Sequence, residues 1–302
     1  MEPVARPSSR RARHVLDQTW TVVRLTVDGF GHDELSTRAA ALAFYSALSF
    51  APLLVLLLWV VTSLEPSWQR ELVQSLQRLV GPRASDAVTL VLDNARQRPG
   101  VGSWAGLIGL AVTLLGASAV FAQLQGAINR VWNLEPRPGG AIRDWLRARM
   151  MALGLLLSLA FLMVVSFAAS ALIAVFVRGD TLIWQALEAL IALAIFSAVF
   201  AAIFKVVPDA LIGWPDALVG AGLTAVLFAV GKFGIGLYLS HSDVGGAYGS
   251  AGGVVVLLVW VYYSALILLL GAELTQSVAQ VRGRPIVPRP HAASRDTPSP
   301  GA

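Results

Sequence analysis

The chain has 302 residues, 56% of them hydrophobic and 14% charged, and a formal net charge of +5. Soluble domains carry about 25% charged residues, so this balance excludes an ordinary soluble enzyme, and the length divides into membrane spans rather than globular domains. The absence of cysteine excludes disulfides, thiolate metal sites and cysteine nucleophiles.

Residues 1–38 read as a basic cytosolic tail followed by an amphipathic helix. Arg6, Arg10, Arg11 and Arg13 come first; Leu16, Trp20, Val23, Val27 and Phe30 then recur at spacings of three and four. Such a helix either lies along the inner membrane face or packs against the end of the helix bundle. No cleavable leader is expected, because the first long apolar run begins only near Ala39.

Residues 39–275 contain six runs able to cross about 30 Å of hydrocarbon as helices, at roughly 39–64, 103–122, 150–177, 182–207, 216–240 and 251–275. Each must be helical in lipid, where an unpaired backbone amide costs several kcal/mol. Pro52 removes a backbone hydrogen bond to Leu48 within the first run, which predicts a kink and a candidate hinge. Between the first two runs, residues 65–102 carry two apolar helical faces separated by Gly81-Pro82. That pattern predicts an outer helical hairpin. The fifth connection, from His241 to Gly253, is rich in glycine, and Gly245, Gly246, Gly249, Gly252 and Gly253 are candidate gate or hinge positions. Residues 276–302, proline-rich and polar from Arg282 onward, are predicted to form a disordered cytosolic tail.

Lysine and arginine set the orientation. Sixteen fall in the two termini and the even-numbered connections, against six in the odd-numbered ones; the remaining one is Lys232, inside a span. The fold expected is therefore an all-α integral membrane protein with six transmembrane helices and both termini in the cytosol.

Ionisable groups within spans are costly and mark interior or water-lined positions. Lys232 shares a helical face with Gly222, Ala225, Ala229 and Gly236, a small-residue seam of the kind that lets helices approach in lipid. It lies about 12 Å from the outer end of its span, and Glu188 about 9 Å from the same surface in the antiparallel fourth span. A Lys232–Glu188 pair with Gln185 alongside is the expected cavity group; a purely structural pair, or a lysine snorkelling to the interface, also fits. Glu273 and Lys205 fall at the cytosolic ends of their spans, as interfacial anchors or gate residues. Clustered metal ligands, a phosphate-binding loop and a dinucleotide fingerprint are all missing from the sequence, so neither an enzyme nor a cofactor is expected.

Four segments resemble the YihY/BrkB family of bacterial inner-membrane proteins: RAAALAFYSALSFAPLLVLLL from Arg38, FAQLQGAINRVWN from Phe121, GKFGIGLYLS from Gly231 and AYGSAGGVVVLLVWVYYSALILLLGAEL from Ala247. The likeness covers about 36–280. It implies a six-helix cytoplasmic-membrane protein linked to envelope lipid handling, with Lys232 at the position of the family's fifth-span lysine. His241-Ser242-Asp243 departs from the family's apolar or aromatic loop start. A ribonuclease label travels with the family, but these residues hold no nuclease-like carboxylate cluster. The expected role is to move or position a lipid or anionic amphiphile. Membrane lipids are the expected partners, with an envelope protein or a second copy as others, and no nucleic acid. The rival is a non-transporting scaffold whose Arg137, Arg143, Arg147 and Arg149 bind anionic lipid or a partner.

Overall fold

The computed structural model describes residues 7–63, 102–136, 150, 182–241, 252–284, 286–290 and 292–295. Among them are six helices: α1 Pro7–His32, α2 Leu35–Ser63, α3 Gly102–Val131, α4 Leu182–Val206, α5 Trp214–His241 and α6 Gly252–Val281. Three of these, over Ala189–Val206, Trp214–Ile235 and Val254–Val281, are long and apolar enough to cross a membrane. The expected third span and the outer hairpin lie outside the described residues, Met150 excepted.

The chain forms two compact units, Met1–Ala43 with Phe121–Ala302, and Phe44–Val120. In the second, Gly116 of α3 sits against Ser49 of α2, where an added Cβ would fall 2.5 Å from the Ser49 hydroxyl. In the first, α4 packs on α5, α5 on α6, and α6 on α1. Phe196 and Phe200 of α4 meet Phe228 of α5, Phe204 stacks on Phe200, and Phe228 also stacks with Tyr263 of α6, the two ring centroids 6.2 Å apart.

Helix ends follow local chemistry. A two-residue turn separates α1 from α2, with Glu34 in the left-handed region at φ 53°. The third helix continues nine residues past the expected end of the second span, because nothing breaks it before Asn133, which caps it at φ 54°. α6 likewise continues past 275. It ends in a Schellman turn: Gly283 at φ 67° donates to Gln280, and Arg284 donates to Ala279. α2 runs on through Pro52, and Gly252 and Gly253 open α6.

The described part of the tail expected to be disordered, as far as Arg295, is instead built into the fold. β3 (Val287–Pro288) pairs antiparallel with β2 (Ala210–Leu211), and β4 (Ala292–Ser294) with β1 (Leu134–Pro136). Its proline-rich composition was the basis for expecting disorder. Short strands need little side-chain burial when their backbone groups find partners, and the turns after α3 and α4 supply them. Arg289 adds side-chain bonds to the carbonyls of Ala210 and Lys205, both at 3.1 Å.

Candidate functional site

The packing of α5 on α6 decides where the sequence-derived candidates point. Gly220 of α5 receives Thr275 of α6, and Gly271 of α6 receives Thr224 of α5. Each threonine hydroxyl bonds back to the carbonyl of the glycine four residues earlier in its own helix, at 2.7 Å, so neither is left unpaired in the interface. Two turns farther along, Gly231 admits the ring of Tyr263. This threonine–glycine exchange is the close seam.

The set Gly222, Ala225, Ala229, Lys232 and Gly236 lies on a neighbouring face. Ala225 is fully buried, a Cβ on Gly222 would meet nothing within 4 Å, and Ala229 and Lys232 are exposed. The face is thus closed at Ala225 and open by Ala229, one turn on. Lys232 stands in that open part, and Val230, Phe233 and Leu237 are exposed on another face of the same turns. The side chains of Gln185 and Glu188 in the first turns of α4, and the environment of Gly236, lie outside the described residues. So do Gly245, Gly246 and Gly249.

At the opposite end of α5, Lys205 closes the α4–α5 turn. Its ammonium donates to the Ile212 carbonyl and lies 5.4 Å from the centre of the Trp214 ring. Asp209 in the same turn accepts from Gln125, at 3.1 Å to each carboxylate oxygen, and from Asn129 at 2.8 Å; its amide donates to Asn129. Asp216, in the first turn of α5, pairs with Arg282 at 3.1 Å. A carboxylate at a helix N-terminus also meets the positive end of the helix dipole.

Glu273, expected at the interface, is instead 5% exposed, and its carboxylate lies on Gly29 of α1. One turn on, Thr26 donates to Ser277 at 3.2 Å. Asp33, also 5% exposed, lies 3.7 Å from the Arg130 guanidinium of α3, and its carbonyl accepts from Arg38 at 2.8 Å. Burial raises the Asp33 carboxyl above its ordinary range, partly offset by the charges of His32, Arg130 and Arg38. Trp132 closes the cluster, its indole N–H donating to the Ala272 carbonyl at 3.0 Å. Sequence reasoning missed Asp33 and Arg130 because both sit outside the apolar runs, Asp33 in the N-terminal segment and Arg130 in the second connection. The signal was present as a charged pair flanking apolar runs, but charges at span ends are ordinary.

A family model described as Virulence factor BrkB matches residues 26–296. A UPF0761 membrane protein of Tolumonas auensis is 29% identical over 266 residues, covering 82% of this chain and 82% of that protein. One from Aliivibrio fischeri is 28% identical over 284 residues, covering 90% and 88%. A third, from Psychrobacter, is 24% identical over 281 residues; the chain accounts for 51% of that protein, about half its length. No solved structure matches.

Proposed function

This chain belongs to the virulence factor BrkB family of membrane proteins, and from that premise we propose that it moves or positions a lipid or other anionic amphiphile in the bacterial inner membrane. It crosses that membrane six times, with both termini in the cytosol. The excess of arginine and lysine on the side of the termini supports this orientation.

The observation that carries the reading is the setting of Lys232. A cation within a membrane span is expensive unless something anionic or aqueous receives it. Here the ammonium is exposed within the apolar stretch Trp214–Ile235, on a small-residue face that opens toward it. In this reading the headgroup charge meets the lysine, and the exposed Val230, Phe233 and Leu237 give the same turns of α5 an apolar surface for acyl chains.

The test is lipid redistribution in liposomes carrying the purified protein, with fluorescent anionic and zwitterionic lipids compared. Wild type should accelerate movement of the anionic probe, Lys232→Arg should retain it, and Lys232→Met should lose most of it. No acceleration by wild type, or an undiminished rate in Lys232→Met, refutes the proposal and leaves the scaffold role as the better account.

A further inference from the structure

The fold buries more negative charge between α1 and α6 than it neutralises. Asp33 and Glu273 are each more than nine-tenths buried. Glu273 Oε2, Asp33 Oδ1 and Arg130 Nε make no hydrogen bond. The Arg130–Asp33 contact, at 3.7 Å, is an ion pair too long to satisfy either atom. Other groups around the pair are accounted for. On α1, His32 acts on Asp33, and Arg24 turns outward to pair with Asp28. On α2, Arg38 is bonded to the Asp33 carbonyl. On α6, Ser277 is bonded to Thr26, and Thr275 to its own helix. The Glu273 carboxylate lies on Gly29, whose carbonyl accepts from the Asp33 amide at 2.9 Å, so the two acids are about one helical turn apart, and among the described residues no cation pairs with Glu273. A buried carboxylate oxygen without a partner is strongly unfavourable.

We propose that Asp33 and Glu273 form a binding site for one monovalent cation, a proton or a sodium ion, at the cytosolic end of the α1–α6 contact. The donors are hard oxygens, which suit either ligand. With Arg130 set against Asp33, the pair keeps one uncompensated negative charge, which a single monovalent cation balances. Asp33 keeps Arg130 as its partner; Glu273 Oε2 faces the bound cation. Arg130, with its side chain 29% exposed, forms the edge of the site that reaches solvent. A Cβ at Gly29 would fall 2.0 Å from Glu273 Oε1, so a side chain there would displace the carboxylate from its present place. The site does not depend on the lipid-handling reading.

The experiment follows thermal unfolding of the full chain in detergent, in one arm against pH without sodium and in the other against sodium at fixed alkaline pH. A proton site predicts a melting temperature that rises with acidity and ignores sodium. A sodium site predicts a rise with sodium that saturates as for a single site. In either case Glu273→Gln should abolish the cation dependence, leaving only the acid-range contribution of Asp33, and match or exceed wild type when no cation is present, since the amide removes the uncompensated charge. Asp33→Asn serves as the second variant if Glu273→Gln does not fold, and should weaken the dependence at least tenfold in apparent affinity. For the proton arm, the infrared carbonyl band of a protonated carboxylic acid should be present in wild type and lost in Glu273→Gln. For the sodium arm, equilibrium binding of radioactive sodium should fall from one ion per chain to none. A wild type insensitive to both cations, or variants that keep its full dependence, overturns the proposal.

Discussion

Replacing Gly220 by alanine should loosen the α5–α6 contact. An ideal Cβ on Gly220 would lie 1.8 Å from the Thr275 hydroxyl, 2.7 Å from its Cβ and 3.0 Å from its methyl. Rotating the threonine relieves the hydroxyl and methyl clashes but leaves the Cβ contact, so the helices must separate by several tenths of an ångström. Separation also loosens the companion contact, where Thr224 enters the space over Gly271. Overpacking of this kind costs about 1–3 kcal/mol, and in lipid no water-driven term restores the contact. Purified variants unfolded with a graded denaturing detergent should show a loss of that size. Thr275→Gly, introduced into Gly220→Ala, should recover part of it by freeing the space. A Gly220→Ala protein within about 0.5 kcal/mol of wild type, the scatter of neutral surface changes, refutes the close-contact argument. So would a double mutant no better than the sum of its parts.

Asp209→Ala removes the acceptor for Gln125 and for the Asn129 side-chain amide. Stranding these groups should cost about 1–3 kcal/mol each, seen as faster amide exchange confined to the α4–α5 turn and the C-terminal strands. Asp33 should make stability depend on pH in a defined sense. Its carboxyl is raised by burial, so the cost of the ionised form is absent below the ordinary aspartate range, about 3.9, and grows as pH rises through the raised value. The stability of wild type minus that of Asp33→Asn should therefore fall with rising pH over that window; a flat or rising difference in chemical denaturation counts against it.

The helices were legible because their cause is local. Runs from Leu182, Trp214 and Gly252 are continuous apolar stretches, and α4 and α5 begin and end within a few residues of expectation. Errors arose where a partner distant in sequence supplies the reason for order. The tail looked disordered by composition, yet Ala292 to Ser294 find strand partners at Leu134 to Pro136. The close α5–α6 contact has the same cause. Gly222 is as small as Gly220 and Gly231, and size alone does not say which small residues receive a side chain. Thr275 and Tyr263 on α6 make that choice.

By itself, then, the sequence determined that this is a helical membrane protein and that Lys232 stands within an apolar run. Those properties follow from composition, length and order, which act residue by residue along one chain. Only the tertiary structure decided that Lys232 is exposed beside a closed threonine–glycine seam, and that Glu273 leaves the interface to meet Gly29 and the neighbourhood of Asp33. Burial and partnering belong to pairs of elements: the free energy of a charge is set by what the other helix places against it.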